Sequence, residues 1–74
     1  EEIIQLTKDV VFRYKDFQEM SDTIVEQINR RGSITVAQVR DIFQTSRKYA
    51  LAVMEHLDAI GITKRKGDER VLAP

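Results

Sequence analysis

Residues 35–61 read TVAQVRDIFQTSRKYALAVMEHLDAIG, and the fold turns on this stretch. It holds two helical patterns joined by a polar triplet. Thr35-Val36-Ala37-Gln38 is a capping box, in which a hydroxyl and a side-chain amide satisfy two backbone N–H groups left open at a helix start. Val36, Val39, Ile42 and Phe43 follow at helical spacing, so a helix is predicted over 35–43 with those four side chains inward. Gln44-Thr45-Ser46 interrupts the pattern. Thr45 or Ser46 can cap the next helix, predicted over 46–60 and stopped by Gly61. That helix places Ala50, Val53, Met54, Leu57 and Ile60 on one side. Lys48, Ala52, Glu55 and Ala59 fall on the opposite side, with Arg47 on the flank.

Working outward, Phe17, Met20, Ile24 and Ile28 form an apolar stripe that predicts a helix over 14–31. Arg30-Arg31 complement its dipole, and Gly32 suits the position just past its end. Ser33-Ile34-Thr35 suits a single bridging strand. Residues 1–13 are rich in β-branched and aromatic side chains around Thr7-Lys8-Asp9 and read as an extended or hairpin lead-in. Beyond Gly61, Ile62-Thr63-Lys64-Arg65-Lys66 and Glu69-Arg70-Val71-Leu72 flank Gly67-Asp68, which predicts a hairpin over 62–72. With neither repeats nor a linker, 1–74 reads as one domain. Hairpin, helix, short strand, helix, tight turn, helix and hairpin is an α+β order, that of a winged helix-turn-helix. Its turn is Gln44-Thr45-Ser46 and its wing centres on Gly67-Asp68.

The 74 residues contain no cysteine, which excludes disulfides and thiolate metal sites and suits a reducing cytoplasm. No apolar run is long enough for a membrane span, and Glu1-Glu2 does not open a signal peptide. A chain starting without Met reads as an excised or processed piece of a larger protein. Net charge is zero, but residues 1–32 carry seven acidic and five basic side chains, and residues 33–74 five acidic and seven basic. Nucleic-acid binding needs a patch rather than a surplus, so this composition permits it. The catalytic inventory is nearly empty. His56 is the only histidine, Gly32, Gly61 and Gly67 are the only glycines, and no phosphate-binding loop exists. No enzymatic role, metal or cofactor is expected in this domain.

Two basic clusters remain. Arg47-Lys48 opens the third predicted helix, where free N–H groups and the dipole already favour an anion. Ser46 adds a hydroxyl, and Tyr49 a ring able to stack on a base. Positive charge at a helix start works against the helix, which invites an outside explanation; exposed helix-end solvation is the plainer one. The second cluster is Lys64-Arg65-Lys66 with Arg70. Strand alternation turns Lys64 and Lys66 to one face and Arg65 to the other. Lysines on an exposed ribbon also guard against edge-to-edge pairing, and that role competes with ligand contact.

The stretches Ile34–Asp41, Thr45–Leu51, Glu55-His56-Leu57-Asp58 and Gly67–Leu72 resemble a known family. They look like the last winged-helix domain of the bacterial selenocysteine-specific translation elongation factors (SelB). The match is densest over 34–72, and T-S-R-K-Y-A with a later G-D-x-R-V-L is its most specific part. The resemblance implies a cytoplasmic parent GTPase that delivers selenocysteinyl-tRNA to the ribosome, whose terminal winged helices hold an mRNA hairpin near a recoded UGA. GTP, tRNA and ribosome would meet other domains. Only the hairpin contact would fall here, on Ser46, Arg47, Lys48 and Tyr49 with Arg65 and Arg70 from the wing. Lysine lacks arginine's bidentate fork, so Lys64 and Lys66 would pair with phosphates nonspecifically. On the residues alone two other readings stay open: a DNA-binding winged helix of a transcription regulator, and a protein-interaction winged helix.

Overall fold

The computed structural model describes residues 2–74; the start of the lead-in at Glu1 lies outside the described residues. In chain order the elements are β1 (Ile3–Thr7), β2 (Val10–Arg13), α1 (Tyr14–Arg31), β3 (Ile34–Thr35), α2 (Val36–Phe43), α3 (Arg47–Ala59), β4 (Thr63–Lys66) and β5 (Glu69–Leu72). The lead-in is a true hairpin, with β1 and β2 antiparallel and Ile4 opposite Phe12. Alternation sends Ile4, Leu6, Val10 and Phe12 toward the core and leaves Ile3 and Val11 exposed.

Helix α1 buries Phe17, Ser21, Ile24 and Ile28, and its Met20 packs partly against the same core. Gly32 ends it at φ 90°, donating its N–H to the Ile28 carbonyl, a conformation that costs glycine least. Helix α2 starts as the capping box requires. Thr35 Oγ1 accepts from the Gln38 N–H at 3.1 Å, and Gln38 Oε1 accepts from the Thr35 N–H at 2.9 Å. The second sheet has the order β3-β5-β4, all antiparallel, so the two-residue β3 ties the wing to the start of α2. Its pairs are Ile34 with Arg70 and Thr35 with Glu69.

The core joins Phe17, Ile24 and Ile28 of α1, Ile34, Val36 and Val39, and Ala50, Val53, Met54 and Leu57 of α3. Each fully buried aliphatic side chain of this size contributes about 1.5–3 kcal/mol. Three positions differ from the sequence expectation. Ile42 is 41% exposed because it lies roughly 120° around the helix from Val36, while Val39 and Phe43 stay near it. Ile60 is 50% exposed, since the chain is already leaving α3 there. Ala52, expected on the outward face, is only 4% exposed. The N-terminal hairpin packs on α3 and covers a second side of that helix.

Candidate nucleic-acid interface

The turn Gln44-Thr45-Ser46 delivers the chain from α2 to α3 through a left-handed residue. Gln44 takes φ 50°, and Thr45 donates its N–H to the Arg40 carbonyl at 3.1 Å. Ser46 is the cap, its Oγ accepting from the Tyr49 N–H at 3.2 Å. That bond uses a lone pair and leaves the hydroxyl proton free to donate outward. Arg47 and Lys48 occupy the first turn of α3, and both are exposed. Tyr49 is 42% exposed. Its ring stands edge-on to Phe12 of β2, centroids 6.1 Å apart, so one edge is already committed to the hairpin.

The wing brings its arginines to the same place. Arg65 and Arg70 are opposite one another in the β4–β5 ladder, on the face shared with Thr63. That face, the start of α2 and the start of α3 enclose a groove. Thr35, Val36 and Ala37 form one wall, Arg47 and Leu51 of α3 a second, and Arg65, Asp68 and Arg70 of the wing the third. Three of the basic residues singled out from sequence therefore meet in one groove. Lys64 and Lys66 do not line it; both are exposed on the other face of β4, as alternation requires. Lys48, Ser46 and Tyr49 also lie outside it, and Tyr49 is turned to the N-terminal hairpin, on the far side of α3 from Arg47 and Leu51. Arg65 is restrained, its Nε donating to the Gly67 carbonyl at 3.1 Å across the wing turn.

Arg70 differs from the open wing contact expected of it. Its side chain is 5% exposed, and its Nε donates to Asp58 Oδ2 at 2.9 Å. Asp58 Oδ1 also accepts from Thr63 Oγ1 at 2.6 Å. A buried guanidinium needs such a partner, because desolvating an unpaired charge is costly. Arg70 thus forms the floor of the groove and joins the wing to α3. Asp58 and Thr63 went unnoticed as site-building residues in the sequence. A usable signal existed for Asp58: a carboxylate near a helix C-terminus opposes the dipole, which asks for a partner just as cations at the start of α3 do. His56 is a packing residue, half-buried with its ring edge-on to Phe17 at 5.2 Å. Among the described residues no cluster of side chains suited to a metal occurs. No described helix is long and apolar enough to cross a membrane.

Three helices, a bridging strand and a C-terminal ribbon that shares an arginine-lined groove with the third helix define a winged helix-turn-helix domain. The family described as "Elongation factor SelB, winged helix" matches residues 26–72, and the chain belongs to that family. The selenocysteine-specific elongation factor of Escherichia coli (strain K12) is 31% identical over 70 residues, spanning 95% of this chain and 11% of that protein. Its counterpart from Haemophilus influenzae is 28% identical over 67 residues, spanning 90% and 11%. The chain therefore corresponds to a small part of either relative. The solved mRNA-binding domain of elongation factor SelB from E. coli, in complex with SECIS RNA, superposes with a TM-score of 0.88 at 30% identity. The overlap covers 97% of this chain and 60% of that one.

Proposed function

We propose that this domain is the mRNA-hairpin-binding part of a selenocysteine-specific elongation factor. It would direct selenocysteine insertion at UGA without doing chemistry itself. The observation that carries this reading is the convergence of Arg47, Arg65 and Arg70 on one groove between α3 and the wing. The chain bearing that groove is similar along nearly all its length to a domain that binds SECIS RNA. Ser46, Lys48 and Tyr49 share the start of α3 with Arg47 without lining the groove, and Lys64 and Lys66 lie on the outer face of the wing. The GTPase, tRNA and ribosome contacts of such a factor, and its work in the cytoplasm, belong to the longer protein.

The chemistry favours a hairpin tip over a regular RNA duplex. An A-form major groove is too deep and narrow to admit α3, whereas a loop presents phosphates and splayed bases to a compact site. The test is a direct competition between SECIS RNA and duplex DNA of equal charge, run on the wild-type domain and on Arg47→Ala/Lys48→Ala. The RNA is expected to win, and the double variant to lose at least tenfold in RNA affinity with an unchanged far-UV spectrum, since both side chains are exposed. Preference for the duplex DNA would select the transcription-regulator reading. No binding of either at physiological salt would select a protein-interaction domain.

A further inference from the structure

The groove is less positive than its arginines suggest. Arg70 is neutralised by Asp58, leaving Arg47 and Arg65 as its open cations. Asp68 lines the same groove, and among the described residues it forms no ion pair. Its place in the wing turn suits an aspartate, but the turn does not require the charge, and no arginine of the groove is bonded to it. It lowers the open charge of the groove by one and presents acceptor oxygens only, since an ionised carboxylate cannot donate. Three lysines stand outside the groove: Lys48 on α3, and Lys64 and Lys66 on the far face of β4. Phosphates repelled by Asp68 find full positive charge there.

We propose that Asp68 is a specificity-determining residue: it makes the groove reject bare phosphate and accept a hydrogen-bond donor of the RNA, a base amino group or a ribose hydroxyl. Holding the backbone is left to the lysines outside. Contacts to phosphate position a nucleic acid without reading it, so a groove that excludes phosphate is free to discriminate. The inference rests on the RNA reading above and deepens it.

The experiment compares wild type, Asp68→Asn and Glu69→Gln for binding to heparin, a polyanion without bases, and to SECIS RNA. Glu69→Gln removes the same charge from the wing at a residue that does not line the groove. Asp68→Asn is expected to raise heparin affinity about three- to tenfold, from the removal of one nearby like charge, while SECIS RNA affinity does not rise. The RNA-to-heparin ratio then falls at least threefold, and Glu69→Gln leaves that ratio unchanged. A DNA hairpin of the same sequence separates the two donors. A loss on Asp68→Asn that persists with DNA assigns the base amino group, and one that disappears assigns the ribose hydroxyl. Unchanged heparin affinity in Asp68→Asn, an equal gain for both ligands, or an equal fall of the ratio in Glu69→Gln would overturn the proposal. Failure of the wild-type domain to bind SECIS RNA would instead overturn the RNA reading, and the heparin measurement would still decide whether Asp68 repels phosphate.

Discussion

Arg70 Nε lies 2.9 Å from Asp58 Oδ2, and through this contact the last turn of α3 grips the inner strand of the wing. The same carboxylate takes the Thr63 hydroxyl at 2.6 Å, so both wing strands hang from one side chain. Because Arg65 faces Arg70 across the ladder, the clamp also fixes where Arg65 stands relative to Arg47. Packing alone would hold the wing less firmly, since β4 exposes Lys64, Arg65 and Lys66 and buries only Thr63.

Asp58→Ala is expected to destabilise the domain by about 2–3 kcal/mol, below the full figure for a buried pair because Asp58 itself is 26% exposed. Arg70→Met should cost a similar amount. The double variant should cost clearly less than the sum, because the second change removes a charge already stranded by the first. Urea unfolding of the four proteins checks this, and strict additivity would mean that the contact carries no coupling.

How far the fold is legible in the sequence depends on whether the signal is local. The capping box at Thr35 and Gln38, the stripe from Phe17 to Ile28 and the Gly67-Asp68 turn are set by neighbours within one or two turns. Their pattern reads directly. Ala52 is buried although it lies off the main apolar stripe, and α3 also packs against a hairpin some forty residues upstream, a contact that no helical periodicity encodes. Arg70 is the same case. Its charge suggested an open contact, and only the fold brings Asp58 to it. The groove wall formed by Thr35, Val36 and Ala37 was invisible for a further reason: those residues already had a full explanation as a helix start.

Gln44 holds a left-handed backbone at φ 50° between the two helices of the turn. A side chain there costs about 1 kcal/mol relative to glycine, partly offset by the greater freedom glycine loses on folding. Gln44→Gly should therefore stabilise the domain by up to about 0.5 kcal/mol. Thermal unfolding should show a rise of a few degrees, and a fall would mean that the Gln44 side chain holds the turn itself.

Phe12 joins the N-terminal hairpin to the start of α3 through its edge contact with Tyr49. Phe12→Ala should cost about 2–3 kcal/mol, less than a fully buried phenylalanine because Phe12 is half-buried. Phe12→Leu keeps most of the apolar volume and should cost about 1 kcal/mol. Because the hairpin is packed on the core, tyrosine fluorescence and far-UV circular dichroism should report one coincident transition in the wild type. An early fluorescence transition would show the hairpin melting on its own.

The salt dependence of RNA binding tests the division of labour between groove and rim. With Arg70 paired to Asp58, five cations remain exposed around the site: Arg47, Lys48, Lys64, Arg65 and Lys66. If Lys48, Lys64 and Lys66 meet phosphates and the groove arginines do not, log affinity should fall with log salt at a slope of roughly −2 to −2.7. Lys64→Ala/Lys66→Ala should then flatten that slope by about 1.4–1.8, since each lost phosphate contact removes about 0.7–0.9 of a released counterion. The same double variant should weaken SECIS RNA and an unrelated hairpin by similar factors, because lysine pairs with phosphate whatever the sequence. Arg65→Lys, by contrast, keeps the charge and loses the fork of donors, so it should leave the slope in place and reduce the preference for SECIS RNA. A slope that Lys64→Ala/Lys66→Ala leaves untouched would return those two lysines to the role of guarding the exposed strand.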